Sequence, residues 1–322
     1  MGLRLSVQRA AWLAHVAGIA AHTPGLVPVV KGNGYGFGRT TVMPIAAEHA
    51  GRDGQIAVGT VYEACDVPAG RVAVVLTPHL DRLPADLPTS AVLTVAGATH
   101  VEALHDNGWR GRVTVKLRSS MHRYGTLPEQ APALMAALHA AGFAVDGYAI
   151  HLPLAGNDGA RVDEIVDWLP YLDPSLPVSV SHLAPETYAR LCAIHPAFEW
   201  RMRLGSALWH GDKALLQLSA DVLEIHPVAA GSTAGYRATP VTADGHLVLV
   251  AAGSAHGICA LDDGRSPFHF ARHRLTMLEP PHMHTTMLLV PLGDPLPEIR
   301  ERVDVQRPLI ATTVDELEWL GA

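Results

Sequence analysis

Between residues 26 and 209 the chain repeats one pattern: a short apolar run, then a segment whose apolar residues fall at helical spacing. The runs lie at 26–30, 55–58, 72–76, 91–95, 113–117, 145–150, 178–180 and 200–204, and helical spacing recurs between them at 41–50, 130–141, 162–169 and 186–194. Strand–helix alternation predicts a parallel sheet with crossover helices. Eight such units in about 200 residues suit an α/β fold of the (β/α)8 barrel type, at the small end of its size range. An open doubly wound sheet is the alternative. The glycine-rich dinucleotide fingerprint that should follow its first strand is missing.

After Gly211 the pattern changes. Residues 216–228, 246–252, 269–278 and 285–290 read as strands, separated by Gly, Pro and Asp turns, with no long amphipathic helix among them. The expected organisation is a barrel over 1–212 and a C-terminal β-rich domain over 213–322, with a short strand at 3–7 and a helix leading into the barrel. At 48% hydrophobic residues the chain can bury a sizeable core. A formal net charge of -7 without a basic patch argues against nucleic acid or an anionic membrane as partner. No apolar run reaches spanning length. The first 22 residues, broken by Arg4, Arg9, His15 and His22, lack the layout of a signal peptide. Cys65, Cys192 and Cys259 are odd in number and widely spaced, so a reducing cytoplasm is expected.

Of 24 Lys and Arg residues only three are lysines: Lys31, Lys116 and Lys213. Lys31 ends the first barrel run, and the C-terminal ends of barrel strands face the active-site mouth. Four glycines follow within Gly32-Asn33-Gly34-Tyr35-Gly36-Phe37-Gly38, permitting an irregular loop that approaches a ligand closely. A lysine there is placed to bond an aldehyde cofactor, and partial desolvation would make its amine nucleophilic. The plain alternative is a surface lysine with its stem on apolar neighbours.

The stretch Val29-Val30-Lys31-Gly32-Asn33-Gly34-Tyr35-Gly36 resembles the cofactor-lysine motif of the alanine racemase family, V-V-K-A-N-A-Y-G. Further segments agree in order. Val115 to Gly125 is similar to the K-x-D-T-G-M-x-R-x-G segment. Gly147-Tyr148-Ala149-Ile150-His151 resembles the strand that ends in a histidine. Arg203-Leu204-Gly205-Ser206 opens a stretch like R-P-G-I-x-L-Y-G. Ala234 to Thr239 and His282 to Met287 resemble two segments of the family's second domain.

The resemblance implies a pyridoxal 5'-phosphate (PLP) barrel of fold type III, a β-domain behind it, and a homodimer with shared active sites. It implies an isomerase that interconverts L- and D-alanine or a related small amino acid. Lys31 would hold the cofactor and act as one base. Tyr35 and the N–H groups of Gly205 and Ser206 would bind its phosphate, and His182 falls at a phosphate-binding position. His151 would pack on the pyridine ring and Arg203 would donate to its nitrogen. An always-charged donor there keeps the nitrogen unprotonated and the ring a weaker electron sink. Arg123 would meet the substrate carboxylate with its fork. Met283 would offer a backbone N–H from the partner subunit. Lys116 is either carbamylated, as in some members, or a plain strand-end lysine.

The departures bear on the reaction. Where the family has its second catalytic tyrosine, in G-Y-A-D-G, this chain reads Gly253-Ser254-Ala255-His256-Gly257. A serine hydroxyl is a poor proton shuttle unless another group activates it. His256 has the intrinsic pKa for that work, and Cys259 lies nearby. His284 replaces another family aspartate. The pair His282 and His284 makes a weak two-ligand metal motif, and no metal is expected. Three readings stay open: a racemase or epimerase with another second base, a different α-carbon reaction such as stereospecific deprotonation or decarboxylation, and a non-catalytic PLP-binding protein.

Overall fold

The computed structural model describes residues 1–321. Close packing divides the chain into two units: His15–Gly32 with Arg39–Trp209, and Met1–Ala14 with Asn33–Gly38 and the chain from His210 onward. Strand β1 (Leu3–Gln8) opens the chain and helix α1 (Arg9–Ala21) follows it.

The first unit is the parallel barrel. Its strands are β2 (Leu26–Pro28), β3 (Gln55–Val58), β4 (Val72–Val75), β5 (Val92–Val95), β6 (Arg112–Lys116), β7 (Ala144–Ala149), β8 (Val178–Ser181) and β9 (Trp200–Leu204). Among the described residues they form one eight-stranded sheet in which each strand neighbours the next in sequence and β9 returns to β2. A parallel bridge between Val29 and Ala57 closes the ring. Strands such as Ile56-Ala57-Val58 and Val92 to Val95 are buried throughout, as expected when barrel interior and outer layer cover both faces.

Crossovers α2 (Arg39–His49), α3 (Ala98–Asp106), α4 (Ala131–Ala140), α5 (Asp158–Trp168) and α6 (Pro185–Ile194) supply the outer layer, and α7 (Ser206–His210) follows β9. The β3–β4 crossover is a short 3-10 helix, Val61–Asp66. No α-helix joins β4 to β5, where Pro78, Pro84 and Pro88 remove amide donors and exclude helix.

The second unit is antiparallel and β-rich. Its long strand β10 (Leu216–Val228) pairs with β1 and, further along, with β13 (Gly245–Val250). The small strands β11 (Thr233–Ala234) and β12 (Thr239–Pro240) form a separate hairpin. Residues 269–278, expected as one strand, are three: β14 (Phe268–Phe270), β15 (His273–Arg274) and β16 (Thr276–Met277). Ala271 and Arg272 both have left-handed φ, 45° and 69°, which is the two-residue hairpin geometry that reverses the chain between β14 and β15. Strand β17 (Thr286–Pro291) pairs with β13. Two further strands were not anticipated: β18 (Arg302–Val305) beside β10 and β19 (Glu316–Leu320), which runs parallel to β1. Val241, Leu247 and Leu289 form a buried core here, with Leu249 and Met287 against it.

Candidate active site

The barrel register delivers Lys31 to a strand end. Val29 N–H donates to Leu204 O and Val30 N–H to Ala57 O, both at 2.8 Å, and the chain leaves the sheet at Lys31. The Lys31 side chain retains solvent exposure, yet burial of its surroundings lowers the amine from the ordinary lysine value. The charge of Arg123 adds to this, Glu63 opposes it, and Arg203 lowers it further.

Arg203, on β9, is buried, and its Nη2 donates to Ile150 O. Burial pushes the guanidinium down to about 10, with the Tyr124 phenol opposing and Arg123 adding to the shift. It therefore stays charged at neutral pH. Lys116, the last residue of β6, is also buried. Desolvation, then Arg203 and Arg123, hold its amine well below the lysine value. Among the described residues, none of Lys31, Lys116, Arg123 and Arg203 forms an ion pair with a carboxylate.

Two histidines stand in this cationic mouth. The rings of His151 and His182 are 4.6 Å apart. His151 Nδ1 is 2.8 Å from Ser181 Oγ. His182 Nδ1–H donates to Leu152 O at 2.8 Å, so the neutral ring keeps its lone pair on Nε2. Burial first, then Arg203 and Lys116, lower His151 to about 2. Burial likewise lowers His182. The backbone of His182 is left-handed, φ 63°, a strained state for a side-chain-bearing residue.

Arg123 lies on the loop after β6, over the Tyr124 ring at 4.7 Å. That loop is tied down at several points: a Leu117–Thr126 bridge, Ser119 Oγ–H to His151 O at 2.6 Å, and Ser120 Oγ–H to Glu164 at 2.9 Å. Gly205 and Ser206 follow β9 at the start of α7, where first-turn N–H groups lack intrahelical acceptors.

Tyr35, Ser254, His256 and Met283 belong to the β-rich unit. Tyr35 is buried with left-handed φ of 60°, and its carbonyl accepts from His210 Nε2 at 2.6 Å. The Asn33 amide donates to Leu309 O and Thr312 O at 2.7 and 2.6 Å. Gly36 is left-handed, and a Cβ on it would come within 2.9 Å of Leu309 Cβ, so the motif needs glycine there.

Ser254 is exposed, and its N–H donates to His282 O at 2.8 Å; the next amide, Ala255, donates to Met283 O at 2.9 Å. His256 Nδ1 accepts the Gly253 N–H at 3.0 Å, which places the proton on Nε2, 3.0 Å from Asp315 Oδ2. Asp315 also accepts the Leu3 N–H at 2.8 Å. Nδ1 thus closes the 253–256 turn on itself, and Nε2 ties that turn through Asp315 to β1. His282 Nε2 is engaged by Glu279, which also accepts the Tyr236 and Arg237 amides. These hydrogen bonds, that of His282 first, hold the Glu279 carboxyl down at about 2.

The sequence motifs thus gather into two groups: Lys31, Arg123, His151, His182 and Arg203 with Gly205 and Ser206 at the C-terminal end of the barrel, and Ser254, His256 and Met283 on adjoining turns of the β-rich unit. Glu63, Arg39, Ser181, Glu279 and Asp315 were not singled out from the sequence. Each holds backbone or another side chain, a task that leaves no motif.

Comparison with known proteins agrees with this fold. A family model described as alanine racemase, N-terminal domain, matches residues 7–212. An alanine racemase of Nitratidesulfovibrio vulgaris is 29% identical over 297 residues, covering 81% of this chain and 77% of that protein. The solved alanine racemase from D-cycloserine producing Streptomyces lavendulae has a TM-score of 0.74 at 20% identity, over 100% of this chain and 98% of that one. That of Bartonella henselae, solved with covalently bound pyridoxal phosphate, has a TM-score of 0.71 at 18% identity, over 96% and 91%. A parallel barrel with a lysine at its first strand end, an antiparallel unit that follows it in the sequence, and a family model spanning most of the chain lead to one conclusion: this chain belongs to the alanine racemase family.

Proposed function

We propose that this chain is a PLP-dependent enzyme that moves the α-proton of a small amino acid, with racemisation of alanine or a close relative as its reaction. The observation that carries this reading is the unbalanced charge around Lys31: four basic groups converge at the barrel mouth without a carboxylate ion pair among the described residues. Arg203 and Lys116 are buried without a paired counter-charge, which is costly, and an anionic ligand relieves that cost. The donor set suits a phosphorylated aldehyde: an amine of lowered basicity for the carbonyl, and fixed positive charge for the anion. PLP, when bound, supplies the aldehyde that a lysine amine engages and a ring that draws electrons from the substrate α-carbon.

Lys31 is the residue that attaches the cofactor and takes or returns a proton on one face. His151, neutral at pH 7, offers a flat, uncharged ring surface. Arg203 holds a charge that does not titrate near neutrality, suited to the pyridine nitrogen. Arg123 offers its fork to the substrate carboxylate. Tyr35, His182 and the amides of Gly205 and Ser206 are assigned to phosphate. Met283 and Ser254 are assigned to a shared site in a homodimer. The barrel within 1–212 binds the cofactor and the β-domain lies from 213 on, with β1 contributed to the latter's sheet. Among the described residues no helix is long and apolar enough to cross a membrane. With unpaired Cys65, Cys192 and Cys259, we assign the protein to a reducing cytoplasm.

One observation favours a second reading. Ser254 replaces the expected tyrosine, and His256 has both nitrogens engaged. A site with a base on one face only would deprotonate stereospecifically rather than racemise.

The test is an absorption spectrum of the purified chain, then incubation with L-alanine and other amino acids in deuterated water. A visible band that is lost in Lys31→Ala, with deuterium at the α-carbon of both enantiomers, is the expected result. Label in a single enantiomer would select the second reading. Absence of the band from the unmodified chain supplied with PLP would overturn both.

A further inference from the structure

We propose that Glu63 is the positioning residue of Lys31: its carboxylate clamps the peptides that follow two adjacent barrel strands and so fixes where Lys31 leaves the sheet. The inference rests on the reading of Lys31 as the cofactor lysine. Glu63 Oε1 accepts the Gly32 N–H at 3.0 Å, and Oε2 accepts the Gly59 N–H at 2.6 Å. Gly32 directly follows Lys31 beyond β2, and Gly59 directly follows β3. The carbonyl of Gly32 is held as well, by Arg39 Nη1 at 2.7 Å, and Arg39 Nε is held by Asp66. Both polar groups of Gly32 are therefore committed.

Residue types follow from this arrangement. Two backbone donors meet one side chain, so the side chain needs two acceptors and no donor, which only a carboxylate provides. Glutamate reaches both amides from the 3-10 helix Val61–Asp66, and its side chain is only 13% exposed. Gly59 must stay small. A Cβ there would lie 2.9 Å from Glu63 Oε2 and 3.3 Å from Lys31 Cβ.

Glu63 also sets the charge around Lys31. The groups that act on the amine are Arg123 and Arg203, which disfavour its protonated form, and Glu63, which favours it. His182 lies close enough to feel the lysine charge. Beyond Glu63, Arg39 lies 3.9 Å from its Oε1 and is balanced by Asp66. Glu63 is thus the carboxylate that tempers an otherwise cationic surround.

The experiment is reductive methylation of the full chain, stripped of any bound aldehyde with hydroxylamine, across a pH series. Mass spectrometry reads the extent at Lys31 against exposed Lys213 in the same digest. In Glu63→Gln the Lys31 midpoint should move down by about one pH unit, the low end of the effect of a nearby opposite charge. Covalent uptake of PLP, read by absorbance, should slow about tenfold or more from lost positioning. Glu63→Asp keeps the charge but cannot span both amides; its midpoint should stay near that of the unmodified chain while uptake slows. An unchanged midpoint in folded Glu63→Gln, or unmodified behaviour of Glu63→Asp in both readouts, would overturn the proposal. The methylation profile needs no cofactor. Failure of the unmodified chain to take up PLP would remove the functional reading and still leave the Glu63 result decisive.

Discussion

The two ends of the barrel bury similar side chains and treat them in opposite ways. At the N-terminal end of the strands, Arg201 lies buried and meets Asp146 at 2.8 Å and Asp53 at 3.0 Å. Asp146 also accepts from Arg112 and from the Gln55 amide, both at 2.7 Å. Charges and hydrogen bonds are satisfied within the protein. At the C-terminal end, Arg203 and Lys116 are as deeply buried, and their charged neighbours are further cations. Removing a charge from water costs several kcal/mol unless a partner offsets it; Arg203 carries that cost, and the lowered basicity of Lys116 expresses it. One end is a closed structural network. The other holds electrostatic strain that a ligand can relieve, and strain of this kind collects where function is.

The largest expected difference comes from cutting the closed end. Asp146→Ala leaves Arg201 buried with Asp53 and the more distant Glu199, and strands the Gln55 amide. Breaking a buried pair costs about 3–5 kcal/mol, and the surviving Asp53 contact places this case near 3. The melting temperature should fall by roughly 5–15 °C. The visible band with PLP should persist below the new transition. A loss of stability within error of zero would show that the two ends do not differ as described.

The barrel was legible because parallel strands buried on both faces become largely apolar runs; Lys31 was legible because it closes such a run, and Arg203 because it opens a segment that resembles a family motif. Pairing across long separations has no local signature. Strand β1 joins β10 and β19 through partners more than 200 residues away, as in Leu5 with Leu218 and Leu317. The strand 302–305 has a clear alternation, with Val303 and Val305 buried, but is only four residues long. The β14–β15 turn uses Ala271 and Arg272 where glycine or asparagine would have announced it. Glu63 was invisible for another reason: its partners are backbone amides, and amides carry no residue identity.

Acid should separate the ends more gently. His151 falls from the ordinary 6.5 to about 2 in the folded chain, chiefly through burial and then through Arg203 and Lys116. The unfolded state then binds the extra proton below pH 6.5 and the folded state does not. This contribution is present above about pH 6.5 and is lost progressively as pH falls toward 2. The slope for one proton is at most about 1.4 kcal/mol per pH unit. Urea unfolding of the cofactor-free chain between pH 7.5 and 5.0 should show decreasing stability, and His151→Asn should flatten that decrease. A slope that survives the substitution unchanged would assign it elsewhere.

The smallest effect belongs to the rim of the closed end. Arg52 pairs with Glu199 there, and Glu199 also lies 4.0 Å from Arg201. Arg52 has the same chemistry as Arg201 but is 75% exposed, against 10% for Arg201. Water already solvates an exposed guanidinium, so the pair replaces little and must order two long side chains. Such pairs contribute about 0–1 kcal/mol. Arg52→Ala should therefore change the urea midpoint by about a tenth at most, and added salt should erase the change. If Arg52→Ala instead costs as much as Asp146→Ala, then the network acts as one unit from rim to centre, and burial is not what gives Arg201 its weight.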